Sequence, residues 1–262
     1  MNWGFENRMS KLFQPDGNAF YLAMDHGYFQ GPTTGLENVA ETMKGLTKYV
    51  DAVFVPRGSL RGVVPPDLDT NLILRVSGGM SIITDDLSNE NLVVSIDEIL
   101  RLNADAVGYS AYIGSDNEHQ TLLGLNRLVN ICQPYGIPVM AVTAVGKELE
   151  QKQQTRYLAM ACRVCAEAGA DVVKTYYCNE FEKVVEGCPV PVVMAGGPKT
   201  DSELEVFEFV YDGIQRGAAG VNLGRNIWQN EYPEGMAQAL RAIIHQEADP
   251  DEALEIYNSV RS

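Results

Sequence analysis

The chain contains 262 residues, of which 45% are apolar and 21% charged, enough to close one large core. Its net charge of −15 excludes the broad positive surface on which nonspecific binding to nucleic acid depends. No run approaches the roughly 18 apolar residues of a membrane span, and the N-terminus lacks the basic start and apolar stretch of a secretory signal. We therefore expect residues 1–262 to form a single cytoplasmic domain without nucleic-acid or membrane partners.

Short apolar segments alternate along the chain with segments of helical period, as in βα units wound around a parallel sheet. The centres of these segments are apolar at consecutive positions, which is typical of strands covered on both faces. Eight such segments predict a (β/α)8 TIM barrel. The predicted strands are Ala19–Asp25, Asp51–Val55, Leu72–Ser77, Ala106–Tyr112, Pro138–Thr143, Asp171–Lys174, Pro191–Ala195 and Gly220–Leu223.

Amphipathic segments between the strands predict the outer helices, and one more follows the last strand as an extra C-terminal helix. The longest irregular segment, Pro56–Asn71, is rich in glycine and proline and predicts a functional loop. Two of the five cysteines, Cys162 and Cys165, lie inside a predicted helix without a second pair, which predicts buried thiols. The predicted helices are Asn117–Tyr135, Gln151–Ala168, Ser202–Arg216, Glu234–His245 and Pro250–Val260.

Lys174 ends the sixth predicted strand, and active sites of this architecture lie at the carboxyl ends of the strands. Alternation along the strand directs its ammonium toward the mouth of the barrel. Burial lowers the pKa of a lysine, and a neutral amine can attack a carbonyl to form an iminium that draws electrons from an adjacent carbon–carbon bond. A lysine at a strand end can equally reach solvent or form a structural ion pair, so both interpretations remain open.

Glycines follow the seventh and eighth predicted strands, at Gly196–Gly197 and at Gly224–Arg225. Barrels commonly hold phosphate at this position, because backbone N–H groups can approach it closely where side chains are absent. The arginine would add a bidentate charge. Glycine is also frequent in ordinary turns, but two such turns in succession favour a phosphate site. Ser77–Gly78, after the third strand, could contribute further donors.

Candidate proton carriers and substrate contacts follow the first, fifth and sixth strands. Asp25 and His26 could carry protons, although an aspartate here is also a common turn residue and helix cap. Thr143 and Lys147 could contact an anionic substrate, although a charge in an exposed loop is the commoner situation. Tyr176 could donate a phenolic proton or simply pack. We expect no metal, because the three histidines are scattered and a Schiff base needs none.

Six short motifs occur in order along nearly the whole chain: Met24–Gly27, Ser77–Gly78, Val173–Thr175, Gly187–Pro189, Val193–Gly197 and Gly224–Ile227. As a set they resemble the class I aldolases that include deoxyribose-phosphate aldolase and archaeal-type fructose-bisphosphate aldolase. The resemblance implies that Lys174 forms the Schiff base with Asp25 beside it. It also implies that the two glycine-containing strand ends and Arg225 hold the phosphate.

Further segments are Asp25–Leu36, Val63–Pro66, Tyr112–Ser115, Glu118–Gln120, Ala141–Thr143, Gly146–Lys147 and Lys174–Tyr177. They are similar to the branch of this family that processes phosphorylated autoinducer-2. The resemblance implies cleavage of 3-hydroxy-5-phosphonooxypentane-2,4-dione, acetyl transfer to coenzyme A as co-substrate and release of dihydroxyacetone phosphate, with no bound cofactor. It also implies self-association into a pentamer- or decamer-type ring.

The segment after the fifth strand departs from the sugar-bisphosphate aldolases and the aminodideoxyheptulosonate synthases. Those enzymes typically carry Tyr-Pro-Arg-Gly there, with a proton-shuttling tyrosine, whereas this chain has Thr143–Gly146. We therefore expect the proton carrier to be Asp25, His26 or Tyr176. Two other functions stay open: a class I aldolase or transaldolase acting on another ketose phosphate, and a catalytically silent barrel that binds a sugar phosphate.

Overall fold

Eight strands close into a barrel in the computed structural model, which describes residues 2–144, 154–197 and 199–261. The barrel strands are β1 (Phe20–Ala23), β2 (Ala52–Pro56), β3 (Asn71–Arg75), β6 (Ala106–Ala111), β7 (Val139–Thr143), β8 (Val172–Tyr176), β9 (Val192–Ala195) and β10 (Val221–Leu223). Each strand pairs in parallel with its two neighbours, and the pairing of β10 with β1 closes the barrel. The predicted (β/α)8 barrel is confirmed.

Helices cover the outside of the barrel. They are α1 (Trp3–Leu12), α2 (Gly27–Gln30), α3 (Val39–Met43), α4 (Arg57–Gly62), α5 (Ile96–Arg101), α6 (Glu118–Cys132), α7 (Thr155–Glu167), α8 (Phe181–Glu186), α9 (Glu203–Gln215), α10 (Arg225–Trp228), α11 (Pro233–Gln246) and α12 (Pro250–Arg261). The predicted C-terminal helix is confirmed as α12, whereas the loop predicted at Pro56–Asn71 was wrong in part, because α4 occupies its first half. Within the described ranges, none of these helices is long and apolar enough to cross a membrane.

Strand side chains alternate between two apolar sets, one outside and one inside the barrel. Outward residues such as Leu22 and Leu74 pack under the helices, and inward residues such as Tyr21 and Ile73 fill the interior. Each of these side chains is almost fully buried, which stabilises the fold by about 1.5–3 kcal/mol for a side chain of this size. Apolar residues on both faces explain why the strands read as continuous apolar runs.

The strand register sorts the inward side chains into layers of four, contributed by alternate strands. When the strand pairing is followed from Tyr21 once around the barrel, it returns to the first strand's segment of the chain at the level of Phe29. The offset of eight residues is the shear of the barrel. From the closed end upward, three successive layers are Tyr21, Ile73, Met140 and Val193; Phe54, Gly108, Lys174 and Asn222; and Ala23, Arg75, Val142 and Ala195. Apart from the Tyr21 hydroxyl, polar side-chain atoms therefore begin at the second layer.

Helix α1 closes the end of the barrel at which the strands begin. Its last residue, Leu12, is 2% exposed and packs, with Phe13, against interior side chains that include Tyr21. Lys11 forms an ion pair with Asp105, which immediately precedes β6, with 2.9 Å between Nζ and Oδ1. The interior is therefore sealed at this end by apolar side chains.

A short hairpin leaves the barrel after β3. Strand β4 (Ser77–Gly78) pairs antiparallel with β5 (Asn91–Leu92). The predicted strand Leu72–Ser77 was therefore too long at its end, because Ser77 belongs to the hairpin and not to the barrel. The hairpin returns Glu90 to a position above Arg75, where both side chains are almost fully buried.

All five cysteines are free and buried, as predicted for Cys162 and Cys165 inside α7. Burial raises the pKa of the Cys165 thiol to about 12 and raises that of Cys162 as well. Neither thiol is therefore ionised at neutral pH.

His245, in the last turn of α11, ties this helix to the closed end of the barrel. Its Nδ1 lies 2.7 Å from Asp16 Oδ2, and its Nε2 lies 3.0 Å from Asp51 Oδ2. Asp51 Oδ2 also accepts a hydrogen bond from the backbone N–H of Phe20 (2.7 Å). Burial opposes a charge on His245, but the hydrogen bonds to Asp51 and Asp16 outweigh it and raise the pKa above 6.5.

We expect His245→Leu to lower the free energy of unfolding by about 2 kcal/mol at pH 6, because two hydrogen bonds to carboxylates are lost. The pKa is higher in the folded than in the unfolded state, so this stabilisation is complete below about pH 6.5 and is lost as the pH rises through the folded-state value. Urea denaturation of both proteins at pH 6 and pH 9 measures the difference, with His245→Gln as an uncharged control. A difference that does not shrink at pH 9 would contradict the role of the imidazolium.

Candidate active site

A cavity of about 280 Å³ opens at the carboxyl ends of the barrel strands. It brings together most of the predicted site residues, although these lie far apart in the sequence. Its predicted members are Asp25, His26, Thr143, Lys174, Tyr176, Gly196, Gly197, Gly224 and Arg225. Ser77 and Gly78 do not line it, and Lys147 lies outside the described residues.

Lys174 lies inside the barrel and is 9% exposed. The sequence placed it at the end of its strand, but β8 continues to Tyr176 because Thr175 and Tyr176 pair with β9. In the same layer Gly108 leaves room for the ring of Phe54, since a Cβ there would lie 2.4 Å from Phe54 Cε2. The Nζ of Lys174 lies 5.7 Å from the centroid of that ring. An apolar surface therefore flanks the amine.

Burial is the main cause that lowers the pKa of Lys174, from 10.5 to about 8. The guanidinium of Arg75 lowers this pKa further, and the carboxylate of Asp25 opposes both effects. At pH 7 a pKa of 8 gives about 300-fold more neutral amine than a pKa of 10.5. The barrel therefore supplies the form of lysine that attacks carbonyl carbons.

Arg75, which the sequence analysis did not identify, is a fully enclosed cation between two carboxylates. It is 4% exposed; its Nη1 lies 3.3 Å from Asp25 Oδ2, and its Nη2 lies 3.0 Å from Glu90 Oε2. Breaking such a buried pair by removing one partner is strongly destabilising, because the other charge is left without compensation. Arg75 thus fixes the Asp25 carboxylate at the end of β1.

Three hydroxyl groups that line the cavity contact the Arg75–Glu90 pair. Tyr28 donates a hydrogen bond to Glu90 Oε1 (2.5 Å) and accepts one from Arg75. Tyr112 donates to the same Glu90 oxygen (3.2 Å), and Ser110 Oγ accepts from Arg75 Nη2 (2.6 Å). Burial is the main cause that raises the pKa of both tyrosines, so both stay protonated. All three side chains line the cavity and give it a polar wall.

His26 faces the cavity as a neutral imidazole. Burial lowers its pKa from 6.5 to about 4, although Asp25 acts in the opposite direction. Its Nδ1 lies 3.8 Å from Asp25 Oδ1 and has no hydrogen-bond partner. The ring packs edge-on against Trp228, with centroids 5.4 Å apart. In the part of the chain that the structure describes, no three His, Cys, Asp or Glu side chains are grouped as ligands for a metal ion.

The loops after β9 and β10 form one wall of the cavity. Gly197 has a φ of +61°, which favours glycine, and its carbonyl accepts a hydrogen bond from Arg225 Nη2 (2.9 Å). The Nε of Arg225 is buried without a partner. The amide of Asn226 donates to the Gly196 carbonyl (3.1 Å), which joins the two loops. Arg225 and the glycine backbone therefore lie together, as predicted for a phosphate site.

The hydroxyl groups of Thr143 and Ser77 form hydrogen bonds within the protein and do not point into the cavity. The Thr143 hydroxyl lies 2.7 Å from Thr175 Oγ1, on the outward side of neighbouring strands. The Ser77 hydroxyl donates to Glu90 Oε2 (2.8 Å) and accepts from the backbone N–H of Ser110 (3.0 Å). The Ser77 hydroxyl is therefore committed to the buried network, and neither Ser77 nor Gly78, the predicted phosphate donors, lines the cavity.

Residues of the site that were not predicted from the sequence include Tyr28, Arg75, Glu90, Ser110 and Asn222. Arg75, Ser110 and Asn222 occupy inward positions of their strands, so alternation from neighbouring inward residues could have found them. Glu90 lies in the hairpin, where no periodic pattern reports its direction. Asn222 is 1% exposed, and neither polar atom of its amide has a hydrogen-bond partner.

Three known proteins show what this barrel is similar to. A relative from Escherichia coli named 3-hydroxy-5-phosphonooxypentane-2,4-dione thiolase is 45% identical over 261 residues, 99% of this chain and 88% of that one. The structure of a Schiff base-forming fructose-1,6-bisphosphate aldolase matches with a TM-score of 0.85 at 26% identity, covering 92% of this chain and 100% of the other. An archaeal aldolase for the same sugar, with its catalytic lysine bound to a carbinolamine intermediate, matches with a TM-score of 0.82 at 27% identity, covering 92% and 99%.

The resemblance inferred from the ordered motifs is confirmed by these relatives. Residues 19–230, from the first barrel strand to just beyond α10, match the profile of the DeoC/LacD family aldolases. The matched region includes every barrel strand and every described residue of the cavity. This chain therefore belongs to the DeoC/LacD aldolase family.

Proposed function

We propose that this enzyme cleaves 3-hydroxy-5-phosphonooxypentane-2,4-dione, transfers the acetyl group to coenzyme A and releases dihydroxyacetone phosphate. The observation that carries the proposal is the buried amine of Lys174, with its lowered pKa, in a cavity that also holds Asp25 and Arg225. The name of the Escherichia coli relative supports this substrate and acceptor.

The reaction uses Lys174 as a temporary electron sink. Its nitrogen adds to the ketone carbon nearest the phosphate end, and loss of that oxygen as water leaves an iminium. The thiolate of coenzyme A adds to the carbon of the acetyl carbonyl, the bond to the neighbouring carbon breaks, and its electron pair moves into the iminium as an enamine. Protonation of the enamine at carbon and hydrolysis of the resulting iminium release dihydroxyacetone phosphate and restore the amine.

The two ends of the cavity suit the two ends of this substrate. Gly196–Gly197 and Arg225 lie at the ends of β9 and β10, where they would hold the phosphate. Arg75 and Ser110 lie across the barrel on β3 and β6 and would face the acetyl end. Binding at both ends fixes the bond to be broken relative to Lys174, and such positioning contributes much of the rate of two-substrate reactions.

We assign proton transfer at the reacting carbon to Asp25, because Arg75 holds its carboxylate at the cavity wall. His26 and Tyr176 line the same cavity and are the other candidates. His26, with a pKa of about 4, is a poor base at neutral pH but keeps an unpartnered Nδ1. Burial raises the pKa of Tyr176, which favours its neutral, donating form.

A second candidate is an aldolase acting on fructose bisphosphate or another ketose phosphate. The similarity to fructose-1,6-bisphosphate aldolases in fold, at 26–27% identity, favours it. The end of β7 argues against it, because Thr143 stands where those enzymes typically carry the proton-shuttling tyrosine and its hydroxyl bonds Thr175.

We expect acetyl-coenzyme A to form from the phosphorylated diketone only when coenzyme A is present, and Lys174→Met to lower turnover by at least about 1,000-fold. Methionine keeps the length and removes a buried amine, so the variant should fold. Thioester absorbance measures the reaction, and borohydride with mass spectrometry should find an adduct on Lys174 in the native protein alone. Full activity of the variant would refute the proposal, and rapid fructose bisphosphate formation from triose phosphates would favour the second candidate.

The pH dependence of iminium formation should report the amine of Lys174. With a pKa lowered to about 8, the rate of borohydride trapping should rise as the pH increases from 6 to 8 and level off above it. An unperturbed lysine would instead give a rate that still increases at pH 10. Single-turnover trapping at a series of pH values distinguishes the two profiles.

We further propose that residues 1–262 form one domain and that copies assemble into a large ring in the cytoplasm. Closure of the barrel between β1 and β10, near opposite ends of the chain, supports one domain, and five free cysteines suit a reducing compartment. Light scattering should give a mass at least five times the 28.8 kDa chain for a ring of pentameric or decameric type. A monomer at micromolar concentration would contradict the assembly.

A further inference from the structure

Asn222 lies two strands away from Lys174 in the same layer of the barrel interior. The strand register places Asn222 on β10 and Lys174 on β8, with β9 between them. The other two members of the layer are Phe54 and Gly108, which offer no polar side-chain atom. Asn222 is therefore the hydrogen-bonding side chain of the layer that holds the amine.

The carboxamide of Asn222 is buried, and neither its nitrogen nor its oxygen has a hydrogen-bond partner. An unpaired amide destabilises a fold relative to an apolar side chain of similar size, because it has given up its hydrogen bonds to water. Other asparagines of this chain avoid that penalty: the amide of Asn71 donates to the carbonyls of Lys11 (2.9 Å) and Asp51 (2.8 Å). An unpaired polar group that lines the active cavity is suited to a ligand.

We propose that the Asn222 carboxamide hydrogen-bonds the substrate oxygen on the carbon that Lys174 attacks. This inference rests on the proposed Schiff-base function and deepens it. The amide N–H donates to the ketone oxygen, and the amide oxygen accepts from the hydroxyl that this oxygen becomes.

Formation of the iminium from the ketone and the amine takes up one proton and releases one water molecule. The carbon–nitrogen bond forms as the π pair of the carbonyl moves to oxygen, and the proton lost by nitrogen is gained by that oxygen, which gives the carbinolamine. One proton from solvent then allows the hydroxyl to leave as water, and the nitrogen lone pair forms the iminium. Asn222 stabilises the charge on oxygen in the first half and orients the leaving hydroxyl in the second.

Substitution of Asn222 should therefore slow the reaction without lowering the Tm. Asn222→Ala and Asn222→Leu remove a ligand contact but no hydrogen bond within the protein. We expect both variants to have a Tm equal to or above that of the native protein, and to form the iminium about 100-fold more slowly. Asn71→Ala is the matched control, since it should lower the Tm and leave the rate of iminium formation unchanged.

The experiment measures the rate at which borohydride traps dihydroxyacetone phosphate on Lys174, by mass spectrometry of the intact full-length chain, together with the Tm. Slow trapping with an undiminished Tm supports the proposal. Native trapping rates in both Asn222 variants, or a loss of Tm that matches Asn71→Ala, would overturn the role of Asn222 and leave the Schiff base in place. Absence of an adduct in the native protein would overturn both proposals.

Discussion

The site depends on a charge balance that must be met inside the barrel, where the charged side chains are buried. Arg75 lies between Asp25 and Glu90, so this cluster carries one excess negative charge while the neighbouring lysine is an amine. An iminium on Lys174 adds one positive charge and makes the formal sum zero. The cluster therefore favours a cation on Lys174 over the free amine, and burial disfavours the small, strongly hydrated ammonium more than the larger iminium.

That balance is assembled by parts of the fold with different structural roles. The barrel register places Lys174 and Arg75 in adjacent layers, and the β4–β5 hairpin returns Glu90 to the second side of the guanidinium. The absence of a side chain at Gly108 lets the Phe54 ring lie beside the amine. Each of these contacts orders groups from distant segments, so the chemistry is a property of the closed barrel and not of a local motif.

Apolar periodicity was sufficient to predict the barrel and to place Lys174 on the sixth strand and the glycine loops and Arg225 after the seventh and eighth, because all of these strands are recognisable. Periodicity failed where the direction of a side chain depends on pairing between strands. Thr175 and Tyr176 are polar enough to suggest a turn, yet pairing with β9 carries the strand through them. Arg75 and Glu90 become a pair only when a hairpin folds back, and Asn222 joins Lys174 only through the shear of the barrel.

Helix α1 and the residue after it seal one end of the barrel interior with Leu12 and Phe13, so the cavity is closed at its base. In the proposed reaction, the diketone, the thiol, the acetylated thiol and the triose phosphate must therefore enter or leave at the carboxyl ends of the strands. Because the barrel is plugged at its base, the diketone and the thiol must reach Lys174 from the same side and share the space above its amine.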